Sequence, residues 1–170
     1  MEEVAVEVID HSDMPNPNTS AFYNSGHHRI TFSRQWMAMS DLLDIVYIAF
    51  QQVRYAYQSY QILLSNDKIK TYFKETPERI ERWRKDKDID LDSELDDNEK
   101  RKMKNNPYLD IDIDAMAFGN VFMRRLIDVD YEVPWVIRDK VIAREIELEK
   151  QFKNESLMKH RRIIKFSEFQ

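Results

Sequence analysis

The longest run of helical periodicity lies between Asp41 and Ser65, with the sequence DLLDIVYIAFQQVRYAYQSYQILLS. Apolar residues recur there at intervals of three and four, and further apolar side chains cover a second side of the same segment. A helix that is apolar around most of its circumference is buried, so the pattern predicts a central helix. The apolar stripe consists of Leu42, Ile45, Val46, Ala49, Val53, Ala56, Tyr60 and Leu63, and the second side carries Leu43, Phe50 and Tyr57.

Three further helices are predicted in the second half of the chain. The triplet Thr76-Pro77-Glu78 is a strong helix start, because it combines an N-cap hydroxyl, a first-turn proline and a carboxylate near the helix dipole. That helix is expected to fade near Lys87. A second buried helix is predicted over Asp112–Ile127, and Pro134 is expected to open an amphipathic helix over Trp135–Phe152.

The sequence of the N-terminal part predicts short strands. Valine alternates with other residues over Val4–Val8, which is typical of a half-buried strand, and the proline-rich segment His11–Ser20 predicts a loop. Two more short strands are expected over Ala21–Tyr23 and Arg29–Phe32, joined by a turn at Asn24-Ser25-Gly26. The predicted fold class is therefore α+β, mainly helical with a few short N-terminal strands, in a single domain over residues 1–170.

Composition narrows the classes of partner. The chain has 170 residues and a formal net charge of −5, so we expect neither direct nucleic-acid binding nor attraction to an anionic membrane. It contains no cysteine, which suits a reducing compartment, and its acidic first residues do not resemble a signal peptide. No apolar run approaches the length of a membrane span. These features predict a cytoplasmic protein whose partner is another protein.

Acidic residues are concentrated between positions 86 and 99. Their spacing resembles that of a calcium-binding EF-hand loop, but Leu91 stands where that loop needs glycine. We expect a solvated, mobile segment near residues 86–105. An alternative function follows from it, in which the carboxylates imitate phosphates and the protein inhibits a nucleic-acid enzyme, as anti-defence and anti-CRISPR proteins do. The acidic partner surface would consist of Asp86, Asp88, Asp90, Asp92, Glu94, Asp96, Asp97 and Glu99.

Two segments carry a resemblance to a known family. Leu43–Gln58, LDIVYIAFQQVRYAYQ, is similar to the active-site helix of ImmA/IrrE-like gluzincin zinc metallopeptidases of the mobile-element branch, in which an apolar run precedes His-Glu-x-x-His and Ala-Tyr-Gln. Asn106–Gly119 resembles the helix that supplies the third zinc ligand. The resemblance places Asp112 at the ligand position, followed by Ala115, Phe118 and Gly119, with Asp114 two residues beyond the ligand.

The resemblance implies a zincin-like helical core in which an edge strand, here Arg29–Phe32, borders the substrate cleft. The chemistry departs from the family, because Gln51, Gln52 and Tyr55 occupy the positions of His, Glu and His. A carboxamide is a poor zinc ligand, and a tyrosine would have to ionise against an unperturbed pKa near 10. Gln52 accepts no proton, so the general base is missing as well. We therefore expect no bound metal, no cofactor and no catalysis.

The functional expectation is a catalytically inactive, metallopeptidase-like protein that regulates or inhibits another protein by binding it, encoded by a phage or mobile element. Two states of the former active site are open: a remodelled binding cleft, or a filled cleft in which the polar groups hydrogen-bond one another. A second alternative is an active hydrolase with non-standard metal ligands. The candidate site consists of Gln51, Gln52, Tyr55 and Asp112, supported by Tyr57, Gln58 and Asp114.

Overall fold

A small sheet and five helices make up the described fold. The structure, a computed structural model, describes residues 3–66, 75–88 and 108–167, with side chains in the last range as far as residue 154. The predicted α+β class, mainly helical with a small sheet, is confirmed. In chain order the elements are β1 (Ala5–Ile9), a 3-10 turn (His11–Asp13), β2 (Ala21–Asn24), β3 (Arg29–Ser33), α1 (Arg34–Met39), α2 (Leu42–Asn66), α3 (Pro77–Asp88), α4 (Asp110–Ile127), a second 3-10 turn (Trp135–Ile137) and α5 (Arg138–Ser167).

The three strands form one sheet in the order β1-β3-β2. β3 pairs in parallel with β1 and antiparallel with β2, with Ala21 opposite Phe32 and Tyr23 opposite Ile30. The expectation that Arg29–Phe32 is an edge strand is therefore wrong. β3 lies in the middle because its apolar residues Ile30 and Phe32 are buried, and β2 is the edge that lies beside α2.

The turn between β2 and β3 covers four residues, 25–28. The side-chain oxygen of Asn24 accepts hydrogen bonds from the backbone N–H groups of Gly26 and His27, at 3.0 and 3.2 Å. The left-handed backbone position falls on His28, with φ 48°, rather than on the glycine. The predicted turn is present, but it covers residues 25–28 rather than 24–26 and is one residue longer than expected.

The valine face of β1 is exposed, contrary to the alternation that predicted a half-buried strand. Val6 and Val8 are both exposed. Glu7 faces the other way, because its carboxylate accepts hydrogen bonds from Arg29 at 2.7 Å and from the buried Thr31 hydroxyl at 2.8 Å. Within the described part of the chain, the hydrogen-bonding partners of β1 side chains thus lie on its polar face, and its valines remain exposed.

α2 is central, but the side that it buries is polar. Its buried residues are Tyr47, Gln51, Gln52, Arg54, Ala56, Gln58, Gln61 and Leu64. Leu42, Val53 and Leu63 of the predicted apolar stripe are exposed, so the prediction that this stripe is buried is wrong for them. The physical reason lies on α4, which packs against α2 and offers a buried carboxylate to Arg54.

The apolar core lies chiefly between α4 and α5. It consists of Ile113, Ala117, Val121, Ile137, Val141 and Leu148, and a second cluster contains Ile80, Trp83 and Ile111. α4 begins two residues earlier than predicted. Ala115 in the second turn of α4 is fully buried, whereas Leu126 in its last turn is exposed. None of the helices in the described ranges combines the length and the apolar character needed to cross a membrane.

Candidate functional site

Three of the four candidate residues lie together in one cleft between β2 and α2. The cleft has a volume of about 450 Å³, and Gln51, Gln52 and Tyr55 line its α2 wall. Residues of β2 and of the loop before it line the opposite wall, and Lys87 of α3 closes one end. The helical spacing of the motif residues therefore directs them towards the same open space beside an edge strand.

Among the described residues, β2 pairs on one side only, with β3, and the backbone groups on its other side are available to a ligand. Ser33 donates its N–H to the carbonyl of Ser20 at 2.9 Å, so these two residues form a hydrogen-bonded pair of the antiparallel ladder. Hydrogen-bonded and non-hydrogen-bonded pairs alternate along such a ladder, so the next pair, Ala21 with Phe32, is not hydrogen-bonded. The backbone N–H and C=O groups of Ala21 and Tyr23 consequently point away from β3. An extended peptide can pair with such an edge.

The two segments that carry the family resemblance meet at Tyr55 and Asp112. The Tyr55 hydroxyl donates a hydrogen bond of 2.7 Å to Asp112 Oδ1. Asp112 Oδ2 accepts the backbone N–H of Leu109 at 3.1 Å, at the start of α4. Burial raises the pKa of Tyr55 well above 10, and the neighbouring Asp112 carboxylate raises it further. The tyrosine is therefore a neutral donor, and both carboxylate oxygens of Asp112 are engaged.

The two glutamines are buried in the wall of the cleft. Gln51 and Gln52 are 7% and 6% exposed. Among the described residues, none donates a hydrogen bond to Gln52 Oε1. A buried acceptor without a donor is unfavourable, and because this oxygen is closed to solvent, the Gln52 side chain must shift before a ligand N–H can reach it.

Gly119 explains how closely α2 and α4 approach each other here. A Cβ atom at this position would lie 2.7 Å from the Tyr47 ring and 3.6 Å from the Gln51 side chain. Only glycine fits this crossing without a shift of the ring. The position was identified by the resemblance as one for a small residue, and the contact gives the physical reason.

A buried network of charges lies beside the cleft and was not predicted. Asp114 accepts hydrogen bonds from Arg54 Nε at 2.7 Å and from Arg144 Nε at 2.5 Å. Glu75 accepts from the same two arginines, at 2.7 Å from Arg54 Nη2 and 3.0 Å from Arg144 Nη2. All four side chains are at least nine-tenths buried. Two positive and two negative charges thus neutralise one another inside the protein.

The supporting residues Gln58, Asp114 and Tyr57 all belong to this network. Gln58 donates from Nε2 to Asp114 Oδ2 at 2.7 Å and to the backbone carbonyl of Ile111 at 3.0 Å. The Arg54 guanidinium lies over the Tyr57 ring, 4.4 Å from its centre. Sequence reasoning missed Arg54, Glu75 and Arg144. The one available signal was Arg54 itself, the only basic residue of a helix predicted to be buried, since a buried arginine needs a carboxylate partner.

Only the first two members of the acidic run fall within the described residues. Asp86 and Asp88 belong to α3, so the start of the segment expected to be mobile is helical. Asp86 Oδ2 accepts the backbone N–H of Ile111 at 2.9 Å, and burial raises the pKa of its carboxyl group. The residues Asp90, Asp92, Glu94, Asp96, Asp97 and Glu99 lie outside the described residues, as does the rest of the segment to residue 105.

Metal-ligating side chains do not converge in the described ranges. No group of three or more His, Cys, Asp or Glu side chains there could hold a metal ion. At Gln51, Gln52 and Tyr55 the cleft wall carries two carboxamides and a phenol, groups that form hydrogen bonds.

Comparison with family models, with curated proteins and with solved structures gave no match to this chain. The metallopeptidase resemblance therefore rests on the two sequence segments alone.

Proposed function

We propose that this chain is a catalytically inactive, metallopeptidase-like protein that binds an extended segment of a partner protein in the cleft between β2 and α2. The observation that carries the proposal is the position of Gln51, Gln52 and Tyr55 in an open cleft beside an edge strand. The resemblance further implies that the protein is encoded by a phage or mobile element and that it regulates or inhibits its partner.

The chemistry of the cleft supports binding rather than hydrolysis. The hydroxyl of Tyr55 is bonded to Asp112, the candidate third ligand, and the raised pKa of Tyr55 disfavours the phenolate that a metal would need. Hydrolysis needs a general base to activate water, and the side-chain amide of Gln52 cannot act as one. The residues present therefore do not suit a catalytic zinc ion.

The walls of the cleft offer complementary contacts to a peptide backbone. On one side, the outward N–H and C=O groups of Ala21 and Tyr23 can pair with an added strand. On the other side, Gln52 Oε1 needs a donor, which a shift of its side chain would bring within reach. A polypeptide in extended conformation supplies N–H and C=O groups to both sides at once.

A proline substitution tests this proposal at the free edge. Ala21→Pro removes an N–H that points away from β3, so the existing ladder keeps its hydrogen bonds while an added strand loses one. Ala21→Ser keeps the N–H and is the matched control. Tagged wild-type and variant proteins are used to capture partners from a lysate of the source cells, with circular dichroism to verify that each variant is folded.

We expect one protein to bind the wild type and Ala21→Ser in stoichiometric amounts and to be lost from Ala21→Pro. Limited proteolysis of the captured partner with this chain added should yield no new cleavage. A partner retained equally by all three proteins, or cleavage that follows the wild type, would overturn the proposal. The described residues favour neither alternative function: Asp86 is bonded to Ile111, and the donor set around Tyr55 does not suit a metal.

A further inference from the structure

A second cleft lies beside Trp135, in the 3-10 turn that precedes α5. The Trp135 side chain is 86% exposed, although large aromatic side chains are normally buried to a great extent. It borders a cavity of about 420 Å³, whose apolar wall also includes Val133 and Ile142. An exposed tryptophan beside a cavity is typical of a protein-binding surface.

The floor of this cleft contains a buried acceptor without a donor. Asn120 is 4% exposed and donates from Nδ2 to Glu145 Oε1 at 2.7 Å. Because a carboxylate only accepts, this bond fixes the orientation of the amide. Within the described ranges, Asn120 Oδ1 receives no hydrogen bond. That oxygen is closed to solvent, so an occupant of the cleft does not reach it in this arrangement of side chains.

The charges of the cleft favour a positively charged donor. Its lining contains two arginines, Arg124 and Arg138, and three carboxylates. Arg124 is already paired with Asp130 at 2.7 Å and with Glu145 at 3.0 Å. The remaining carboxylate is Glu132, and the lining as a whole has one net negative charge.

We propose that this cleft receives an arginine side chain from a partner protein. The planar guanidinium group stacks on the face of Trp135 and pairs with the Glu132 carboxylate. A phosphate-bearing ligand such as a nucleotide would also stack on tryptophan, but the net negative charge of the lining opposes it.

The surroundings indicate that the arginine belongs to a polypeptide with an apolar residue nearby. A neighbouring depression of similar size, about 420 Å³, shares Arg124, Ile142 and Glu145 with the cleft and extends to Ile146. Ile142 and Ile146 lie one helical turn apart on α5 and are both about half exposed. A large apolar side chain close to the arginine would cover them.

Selection from a random peptide library tests the proposal without knowledge of the partner. Peptides displayed on phage are selected on the full chain and then screened against Trp135→Ala. Met39→Ala is the matched control, because Met39 is equally exposed and lies on α1, outside both depressions. The most enriched peptide is synthesised with arginine, with citrulline and with lysine, and its affinity is measured by fluorescence anisotropy.

We expect the enriched peptides to carry an arginine near a large apolar residue. Trp135→Ala should weaken binding about tenfold, and citrulline, which has the shape of arginine without its charge, should do the same. Met39→Ala should have no effect. Equal binding of the citrulline or lysine peptide, or selected peptides that do not depend on Trp135, would overturn the proposal. Peptides that instead depend on the N–H of Ala21 belong to the β2–α2 cleft.

Discussion

At the scale of single residues, the buried carboxylate of Asp114 is surrounded by hydrogen-bond donors. It accepts hydrogen bonds from two nitrogens of Arg54, from Gln58 and from Arg144. The resemblance identified Asp114 as a supporting residue of the candidate site, but the residues that bind its carboxylate could not be predicted. Arg54 lies 60 residues away in sequence and Arg144 lies 30, and no local pattern relates them. Buried ion pairs are tertiary features that hydrophobic periodicity does not report.

Asp114→Asn should lower the free energy of unfolding by about 3–5 kcal/mol, because it leaves two buried guanidinium groups facing a neutral amide. The measurement is urea unfolding followed by circular dichroism. Asp139→Asn is the control: Asp139 is an exposed acid in the first turn of α5, and its loss should lower the free energy of unfolding by less than about 1 kcal/mol.

The Asp114 carboxylate should also make the free energy of unfolding depend on pH. Burial by itself would raise the pKa of Asp114, but the adjacent Arg54 and Arg144 lower it below its ordinary value of 3.8. Because the folded-state pKa is the lower one, the stabilisation by Asp114 is complete above the ordinary value of 3.8 and is lost as the pH falls from there through the folded-state pKa. Wild type should therefore lose more stability than Asp114→Asn between pH 5 and pH 2 (about the usual range of acid unfolding). Parallel losses would contradict this assignment.

At the scale of elements, the length and position of α2 were predictable and its buried face was not. The period of apolar residues predicted a helix over Asp41–Ser65, and the structure has it over Leu42–Asn66. The prediction of the buried face was wrong because the apolar pattern assigns every polar residue to solvent. Arg54 and Gln58 are nevertheless buried, because both donate hydrogen bonds to Asp114 on α4. The candidate site was easier to locate, because helical spacing alone places Gln51 and Tyr55 on one side.

Gly119→Ala should destabilise the α2–α4 crossing despite the higher helix propensity of alanine. The new methyl group would lie 2.7 Å from a carbon of the Tyr47 ring, which is itself stacked on Tyr131 with ring centres 3.8 Å apart. The ring has little room to move, so we expect a loss of about 1–2 kcal/mol in the free energy of unfolding, measured by urea unfolding.

A second background separates the contact from the backbone effect. With Tyr47→Leu already present, Gly119→Ala should be neutral or stabilising, because the overlapping ring carbon is gone while the gain in helix propensity remains. Equal losses in both backgrounds would show that Gly119 is required for a reason other than contact with Tyr47.

At the scale of the whole molecule, the packing of α2 on α4 brings together two segments that are about fifty residues apart in sequence. Tyr55 and Asp112, from positions that the resemblance equates with zinc ligands, are bonded to each other at 2.7 Å. We proposed above that the chain is metallopeptidase-like, and in that proposal this hydrogen bond stands where the family holds its ion. The resemblance therefore makes a prediction about the entire arrangement of helices.

Restoring the ligands should restore an ion site. The triple variant Gln51→His, Tyr55→His and Asp112→Glu places two imidazoles on one face of α2 and a longer carboxylate on α4, which is the ligand set of this class of zinc site. We expect one equivalent of zinc to bind tightly, and one equivalent of cobalt to give the intense visible absorption of a tetrahedral site. Val53→His with Tyr57→His has the same spacing on another face of α2 and lacks a carboxylate from α4, so it should bind zinc only weakly. If both variants bound zinc with the same affinity, the third ligand would be absent and the two motif helices would not be arranged as in a metallopeptidase. The peptide-binding cleft would then have to be explained by the geometry of β2 and α2 alone.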